Sequence, residues 1–322
     1  MPMTKEFKTV EQQISGLEQR NLKFKNKRKA VEILYKYNYF DIINGFESIL
    51  LKQGTSQKVY ENVYFEDFWD LYLFDMRLKK QTLFKIFDIE SRMRTAIAYH
   101  FSRIYCNTSS TIMNYLNPVY YHQPNPSDTY LTKRFQKFDL FREKQYDKYN
   151  RKVIKKSFLD ELKAEKDYVA KYEHPPFWVV IKSQSLGTLY FLYIFLRDEV
   201  KEPVLKEFQL SLAESRVFEQ AIYVIKEARN QCAHLELITR FRKKRDRKLN
   251  NFKDITDYAG LSKSVLNYMD VLKILKIFGE IRDIKKEIAI FYLKMCMKGR
   301  KPIADKILSK MGRKNIGDWL KL

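Results

Sequence analysis

The chain has 322 residues, and its 61 Lys and Arg against 39 Asp and Glu give a formal net charge of +22 at pH 7. Hydrophobic residues make up 45% and aromatic residues 15%, which is enough for a packed core and excludes a wholly disordered chain. With only 9 Gly and 8 Pro, a many-turned sandwich or barrel is not expected. The charge favours a polyanionic partner such as nucleic acid, although an anionic membrane surface or an acidic protein would also match it.

The cysteines and the apolar segments indicate the compartment. Cys106, Cys232 and Cys296 are odd in number, widely spaced and without a CxxC pair, so neither a disulfide framework nor a zinc ribbon is expected. The N-terminal segment MPMTKEFKTVEQQ lacks the apolar core of a signal peptide. The longest apolar run, residues 186–196, is far shorter than the roughly 20 residues that span a bilayer. We therefore expect a soluble, cytoplasmic protein with no membrane partner.

The N-terminal half is patterned for helices. Apolar residues recur at intervals of three and four in residues 8–22 and 30–46, and most clearly in residues 64–105. A basic patch, residues 23–29, separates the first two stretches. The proline-rich segment 117–128 (NPVYYHQPNPSD) is the best internal boundary.

The C-terminal half continues in the same way. Residues 131–166 predict a polar, basic helix or excursion, and residues 177–200 predict a buried helix interrupted near Gly187. Residues 212–238 predict one long amphipathic helix with small residues on its inner face, and 262–322 alternates helical apolar patterning with Lys and Arg. These patterns predict an all-α fold, with an N-terminal helical lobe over residues 1–120 and a second helical lobe over residues 129–322. The two lobes are expected to pack together, and a single unit stays an alternative.

Several common catalytic motifs do not occur in the sequence. There is no GxxxxGK[ST] or GxGxxG phosphate cradle, no HExxH and no GxSxG. The four histidines show no metal-ligand spacing with one another or with the cysteines. We therefore expect neither a metal site nor a nucleotide cofactor.

The segment Glu-Ala-Arg-Asn-Gln-Cys-Ala-His, residues 227–234, contains the best candidate site. On a helix, Asn230 and His234 would lie about 40° apart on one face, and the long side chain of Arg229 could swing toward them. An imidazole titrates near neutrality and can move a proton, and a guanidinium can bind a phosphate. The spacing alone is weak, and by itself it favours a His packed within the fold beside a surface Arg.

This segment resembles the RNxxxH motif of HEPN ribonucleases, and its setting resembles the Abi-like family of bacterial abortive-infection proteins of the AbiD/AbiF type. Four ordered blocks carry the resemblance, at residues 17–46, 64–101, 174–193 and 227–241. Four blocks in order are far more specific than the hexamer RNQCAH, and they favour the functional interpretation of the motif.

The resemblance implies a helical HEPN-type core with a basic C-terminal helical extension, commonly a homodimer whose motif helices face each other. It implies metal-independent cleavage of RNA that leaves a 2′,3′-cyclic phosphate, by a toxin of phage defence. A structured small RNA is associated with AbiF-type members. The catalytic roles fall on Arg229, Asn230 and His234, whereas Cys232 is assigned to packing.

Because RNA is the expected partner, a basic surface of the protein should bind it. Two basic patches are the candidates, and their members are Arg240, Arg242, Lys243, Lys244 and Arg245 in one and Lys25, Lys27 and Arg28 in the other. Tyr35, Tyr37, Tyr39 and Phe40 could stack on bases, but core burial is the favoured interpretation.

Two weaker groups of polar residues lie in residues 64–105. Arg94 and His100 fall on different helix faces, so a core or dimer-face role is favoured over a second active site. For Asp75, Arg77, Glu90 and Arg94, ion pairs that support the fold are favoured over acid-base catalysis.

Two other classes of function stay open. A non-catalytic protein could hold a structured small RNA, but binding alone requires neither an imidazole nor its spacing from Arg229. An enzyme that uses a nucleotide cofactor is disfavoured by the missing phosphate cradle.

Overall fold

The computed structural model describes residues 6–55, 57–147, 153–244 and 252–322, and most of these residues are helical, which confirms the predicted all-α fold. The α-helices are α1 (Val10–Glu18), α2 (Lys27–Lys36), α3 (Gly45–Leu50), α4 (Phe65–Tyr105), α5 (Thr129–Gln136), α6 (Phe158–Glu165), α7 (Asp167–Ala170), α8 (Phe177–Val180), α9 (Leu186–Phe195), α10 (Asp198–Lys206), α11 (Ser215–Ala233), α12 (Lys253–Ala259), α13 (Tyr268–Ile277), α14 (Arg282–Met297), α15 (Lys301–Met311) and α16 (Ile316–Leu320).

Strands are few and short in the described residues. Two antiparallel pairs occur, β1 (Gln145–Tyr146) with β2 (Val153–Lys155) and β3 (Lys243–Lys244) with β4 (Val265–Leu266). Among the described residues, no helix combines the length and the apolar character needed to cross a bilayer.

The chain forms two compact units, each assembled from separate segments. The first comprises residues 1–86, 227–251 and 259–322, and the second comprises residues 87–226 and 252–258. Helices α4 and α11 each contribute residues to both units. The units do not follow the lobes proposed above, residues 1–120 and 129–322, whose boundaries stay a prediction.

The core of the first unit is built on the N-terminal half of α4. Phe68, Leu71, Phe74 and Leu78 recur at helical spacing and are fully buried. The ring of Phe74 stacks on Phe291 of α14, with centroids 3.9 Å apart. This half of α4 is therefore a fixed element on which other segments of the unit pack.

The core of the second unit is aromatic. Phe101 of α4 packs on Tyr121 and Phe177, with ring centroids 4.9 Å and 5.3 Å apart, and Tyr115 stacks on Phe177 at 4.9 Å. The hydroxyl of Tyr115 donates to the carbonyl oxygen of Pro175 over 2.7 Å, so its polar atom is satisfied within the core.

The predicted buried helix over residues 177–200 is divided into α8, a 3-10 turn, α9 and the start of α10. The break lies before Gly187 and not at it, because Ser185 caps α9 and accepts a hydrogen bond from the Thr188 N–H over 3.2 Å. Over residues 131–166 the structure has α5 and α6 with the pair β1–β2 between them. This segment is therefore not a single helix, and the second of the two predicted alternatives is favoured.

Candidate active site

The motif Arg229–His234 lies at the C-terminal end of α11. A 3-10 turn, Leu212–Glu214, precedes this helix, and the α-helix ends at Ala233. The prediction of one helix over residues 212–238 is therefore wrong at its C-terminal end. His234 follows the helix, and its backbone N–H still donates to the carbonyl oxygen of Asn230 over 2.9 Å.

A backbone turn of the Schellman type ends the helix immediately after the motif. Leu235 has a φ of 60°, in the left-handed region. The Leu235 N–H donates to Cys232 O over 3.2 Å, and the Glu236 N–H donates to Gln231 O over 3.0 Å. Because Leu235 turns the chain away, it is 63% exposed and does not continue the amphipathic helix predicted over residues 212–238. The turn determines the direction in which the chain leaves His234.

Buried polar groups of α4 hold the segment that follows the turn. The Lys79 ammonium donates to the carbonyl oxygen of Leu235 over 3.0 Å. One carboxylate oxygen of Asp75 accepts from the N–H and the hydroxyl of Thr239, over 2.8 Å and 2.7 Å. Asp75 and Lys79 also form an ion pair at 3.2 Å. These two side chains therefore fix the backbone on the C-terminal side of His234.

Burial distinguishes this pair from surface charges. Asp75 is 0% and Lys79 is 3% exposed, and burial raises the pKa of the Asp75 carboxyl. The ion-pair role predicted for Asp75 is confirmed, but the sequence reasoning missed Lys79. Its spacing of four residues from Asp75 on one helix was the available signal.

The three motif side chains differ in accessibility. His234 and Asn230 are exposed and Arg229 is half-buried. The Nε atom of Arg229 is buried and has no hydrogen-bond partner within the described parts of the chain. Asn230 and His234, four residues apart, lie on the same side of the helix end. The structure therefore presents an imidazole and an amide to solvent at a fixed helix end, whereas the guanidinium of Arg229 is partly buried.

The basic patch after the motif is partly used in internal contacts. Lys243 of β3 pairs with Glu227 of α11 at 3.0 Å. Arg242 is exposed, but its guanidinium donates to the carbonyl oxygens of Phe241 and Lys310, and partial desolvation lowers its pKa. Of the remaining members, Arg240 and Lys244 are exposed, and Arg245 lies outside the described residues. The RNA-binding role of this patch stays a prediction.

The N-terminal patch is exposed at Lys25, Lys27 and Arg28. The Lys25 ammonium lies over the ring of Tyr64, 5.2 Å from its centroid. Lys27 pairs with Glu18 at 2.7 Å and Arg28 with Glu32 at 3.5 Å. Exposed pairs of this kind add little stability and leave the cations able to exchange partners. RNA contact by this patch also stays a prediction.

The favoured core burial of the aromatic residues beside this patch is wrong for three of them. Tyr35 is 68%, Tyr37 40% and Phe40 63% exposed, and Tyr39 is intermediate. Helix α2 ends at Lys36 and a short π-helix begins at Phe40. Tyr35 is not among the buried residues of α2, and Tyr37 follows that helix. The change of helix type bears on Phe40, and periodicity could not show it.

The other polar residues of α4 take structural positions. Arg94 donates to the carbonyl oxygen of Gln184 over 3.0 Å and pairs with Glu90. His100 is buried, with its Nε2 atom 3.2 Å from a carboxylate oxygen of Glu207. Both contacts agree with the packing role favoured for these residues.

Arg77 and Cys232 also take the structural roles predicted for them. Arg77 pairs with Glu287 at 3.4 Å. Cys232 is 1% exposed, which confirms its assignment to packing, and burial raises the pKa of its thiol to about 12.

Comparison with known proteins gives one finding for this chain. A family model described as an Abi-like protein matches residues 32–239. The match covers well over half of the chain, includes the motif at Arg229–His234 and ends before α13. No curated protein and no solved structure matches the chain.

Proposed function

The chain belongs to the Abi-like protein family, which associates it with abortive infection, and from this premise we propose that it is a metal-independent endoribonuclease toxin of bacterial phage defence. One observation carries the proposal. His234 and Asn230 are exposed at a helix end whose backbone is fixed, and Arg229 directly precedes Asn230 in α11. A binding surface alone does not require an exposed imidazole at a fixed helix end.

The proposed reaction uses the RNA's own 2′-hydroxyl as nucleophile. An imidazole removes the 2′-hydroxyl proton, the 2′ oxygen forms a bond to phosphorus, and the bond from phosphorus to the 5′ oxygen breaks. The departing 5′ oxygen takes a proton from a protonated imidazole. The products are a 2′,3′-cyclic phosphate and a 5′-hydroxyl. The Arg229 guanidinium stabilises the added negative charge of the transition state, and the Asn230 amide orients the imidazole or a phosphate oxygen.

Two proton transfers are most simply served by two imidazoles. A second copy of the chain would supply the second His234, so the proposal includes a homodimer in which the two motif helices face each other. The exposure of His234 leaves it accessible to such a partner copy.

The test compares the wild-type protein with His234→Ala on total RNA in EDTA, with the ends of the fragments identified. We expect 2′,3′-cyclic phosphate ends from the wild type and about 10²–10⁴-fold slower cleavage by the variant, since general acid-base catalysis contributes that much. Because His234 is exposed, the free energy of unfolding should change by no more than about 0.5 kcal/mol. His122→Ala is the matched control, since His122 is also exposed and lies outside the motif.

The same experiment separates this proposal from the alternative of a protein that only holds a structured small RNA. The net charge of +22 would also favour that binding. A gel shift by the wild type with no cleavage products would support the binding protein. Cleavage by His234→Ala at the wild-type rate would refute the assignment of His234.

A further inference from the structure

The second unit contains a cavity of about 800 Å³ between α4 and the segment formed by α8 and the 3-10 turn Ile181–Ser183. None of the three motif residues lines it. Its volume is in the range of sites that hold small organic ligands, roughly 300–1,000 Å³.

Two exposed aromatic side chains line this cavity. Tyr99 of α4 is 60% exposed and Trp178 of α8 is 54% exposed. The neighbours of Trp178 in α8, Phe177 and Val179, are buried, so the helix is anchored while the indole stays at the surface. Large exposed aromatic surface that shares one concave site marks a binding site. Flat rings of this kind stack on nucleobases.

The charged side chains of the cavity are all cationic. Arg94, Arg103 and Lys182 line it, and no acidic residue does among the described residues. Arg94 is held by Gln184, but Arg103 and Lys182 are exposed and make no ion pair in the described parts of the chain. The Lys182 ammonium lies 5.2 Å from the centroid of the Tyr168 ring. Two available cations beside two exposed aromatic rings match a ligand with an anionic end and a flat end.

Two buried residues that line the cavity are neutral, and one of them offers a polar atom. Burial raises the pKa of the Cys106 thiol to about 11, so this residue adds no negative charge at neutral pH. Ser102 is 7% exposed, and its hydroxyl has no hydrogen-bond partner among the described residues. A buried hydroxyl without a partner in a cavity wall is available to a ligand.

We propose that this cavity binds one nucleotide, with its base against Tyr99 and Trp178 and its phosphate at Arg103 and Lys182. The ligand is either a free nucleoside phosphate or one nucleotide of a single-stranded RNA, since both have this chemistry. The proposal does not depend on cleavage, because the cavity is defined without the motif residues.

Binding is measured in the His234→Ala background, which removes the proposed cleavage and makes the two proposals separately testable. The probes are adenosine and uridine monophosphates in one arm and a six-nucleotide single-stranded RNA in the other. Calorimetry gives Kd, and quenching of tryptophan fluorescence reports the location. The chain has only three Trp, so loss of the ligand-dependent quenching in Trp178→Phe would assign the signal to this cavity.

Arg103→Glu and Lys182→Glu are each expected to raise Kd about tenfold or more, because each removes a charge-assisted contact to phosphate. Lys137→Glu is the matched control, since Lys137 is exposed in the same unit and does not line the cavity. Quenching by a monophosphate identifies a free nucleotide as sufficient, and quenching by the oligonucleotide alone identifies RNA. If neither probe quenches Trp178, or if the two cavity variants bind like Lys137→Glu, the proposal is wrong.

Discussion

Substitution of Lys79 tests how the end of the motif helix is held in place. In Lys79→Met the fully buried Asp75 loses the cation 3.2 Å away, and the Leu235 carbonyl oxygen loses its donor at 3.0 Å. Removal of one partner from a buried ion pair costs about 3–5 kcal/mol, since the other charge stays desolvated. Because domains are stable by only about 5–15 kcal/mol, we expect a large loss in the free energy of unfolding, measured by chemical denaturation.

Lys80→Met is the matched control, because Lys80 is the next residue of α4, is exposed and undergoes the same change of charge. It should change the free energy of unfolding by about 0.5 kcal/mol or less. In Lys79→Met, amide hydrogen exchange at residues 234–236 should also accelerate, because the backbone after His234 loses its anchor. Equal stability of the two variants would refute the reasoning.

The double variant Asp75→Asn/Lys79→Met separates the ion pair from other effects of the substitutions. It leaves no uncompensated buried charge, and the amide oxygen introduced at position 75 can still accept from Thr239. We therefore expect the double variant to lose less free energy of unfolding than the two single variants lose together, by at least about 1 kcal/mol. Additive losses would show that the pair contributes nothing as a unit.

Two further predictions concern the turn and the cysteines. Leu235→Gly should raise the free energy of unfolding by about 0.5–1 kcal/mol, because Gly adopts the left-handed φ without strain and the leucine side chain is mostly exposed; a loss of stability on denaturation would contradict this. Alkylation by iodoacetamide at pH 8, followed by mass spectrometry, should label the half-buried Cys296 before Cys106 and Cys232. Burial raises the pKa of these two thiols to about 11 and about 12, so roughly one in a thousand or fewer is a thiolate at that pH; early labelling of either would refute the assignment.

The sequence was sufficient for the class of fold and for most helices. The three- and four-residue periodicity of residues 64–105 corresponds to the single helix α4. A helix that buries one face has apolar residues at intervals of three and four, so the local sequence shows it. The same reasoning failed at residues 212–238, since the left-handed turn at Leu235 uses a residue type that gives no local signal for it. It also failed at Tyr35, which lies outside the buried set of α2, and at Phe40, where a π-helix begins.

The all-α class, the position of the motif at Arg229, Asn230 and His234, and the positive charge all follow from the amino-acid sequence, because they depend on local pattern and composition. The exposure of His234 beyond the helix end, and the anchoring of the chain after it by Lys79 and Asp75, depend instead on tertiary packing. Lys79 and Leu235 are far apart along the chain, and a contact at such separation has no local signature. It arises when packing brings a buried donor to a carbonyl that would otherwise be unpaired.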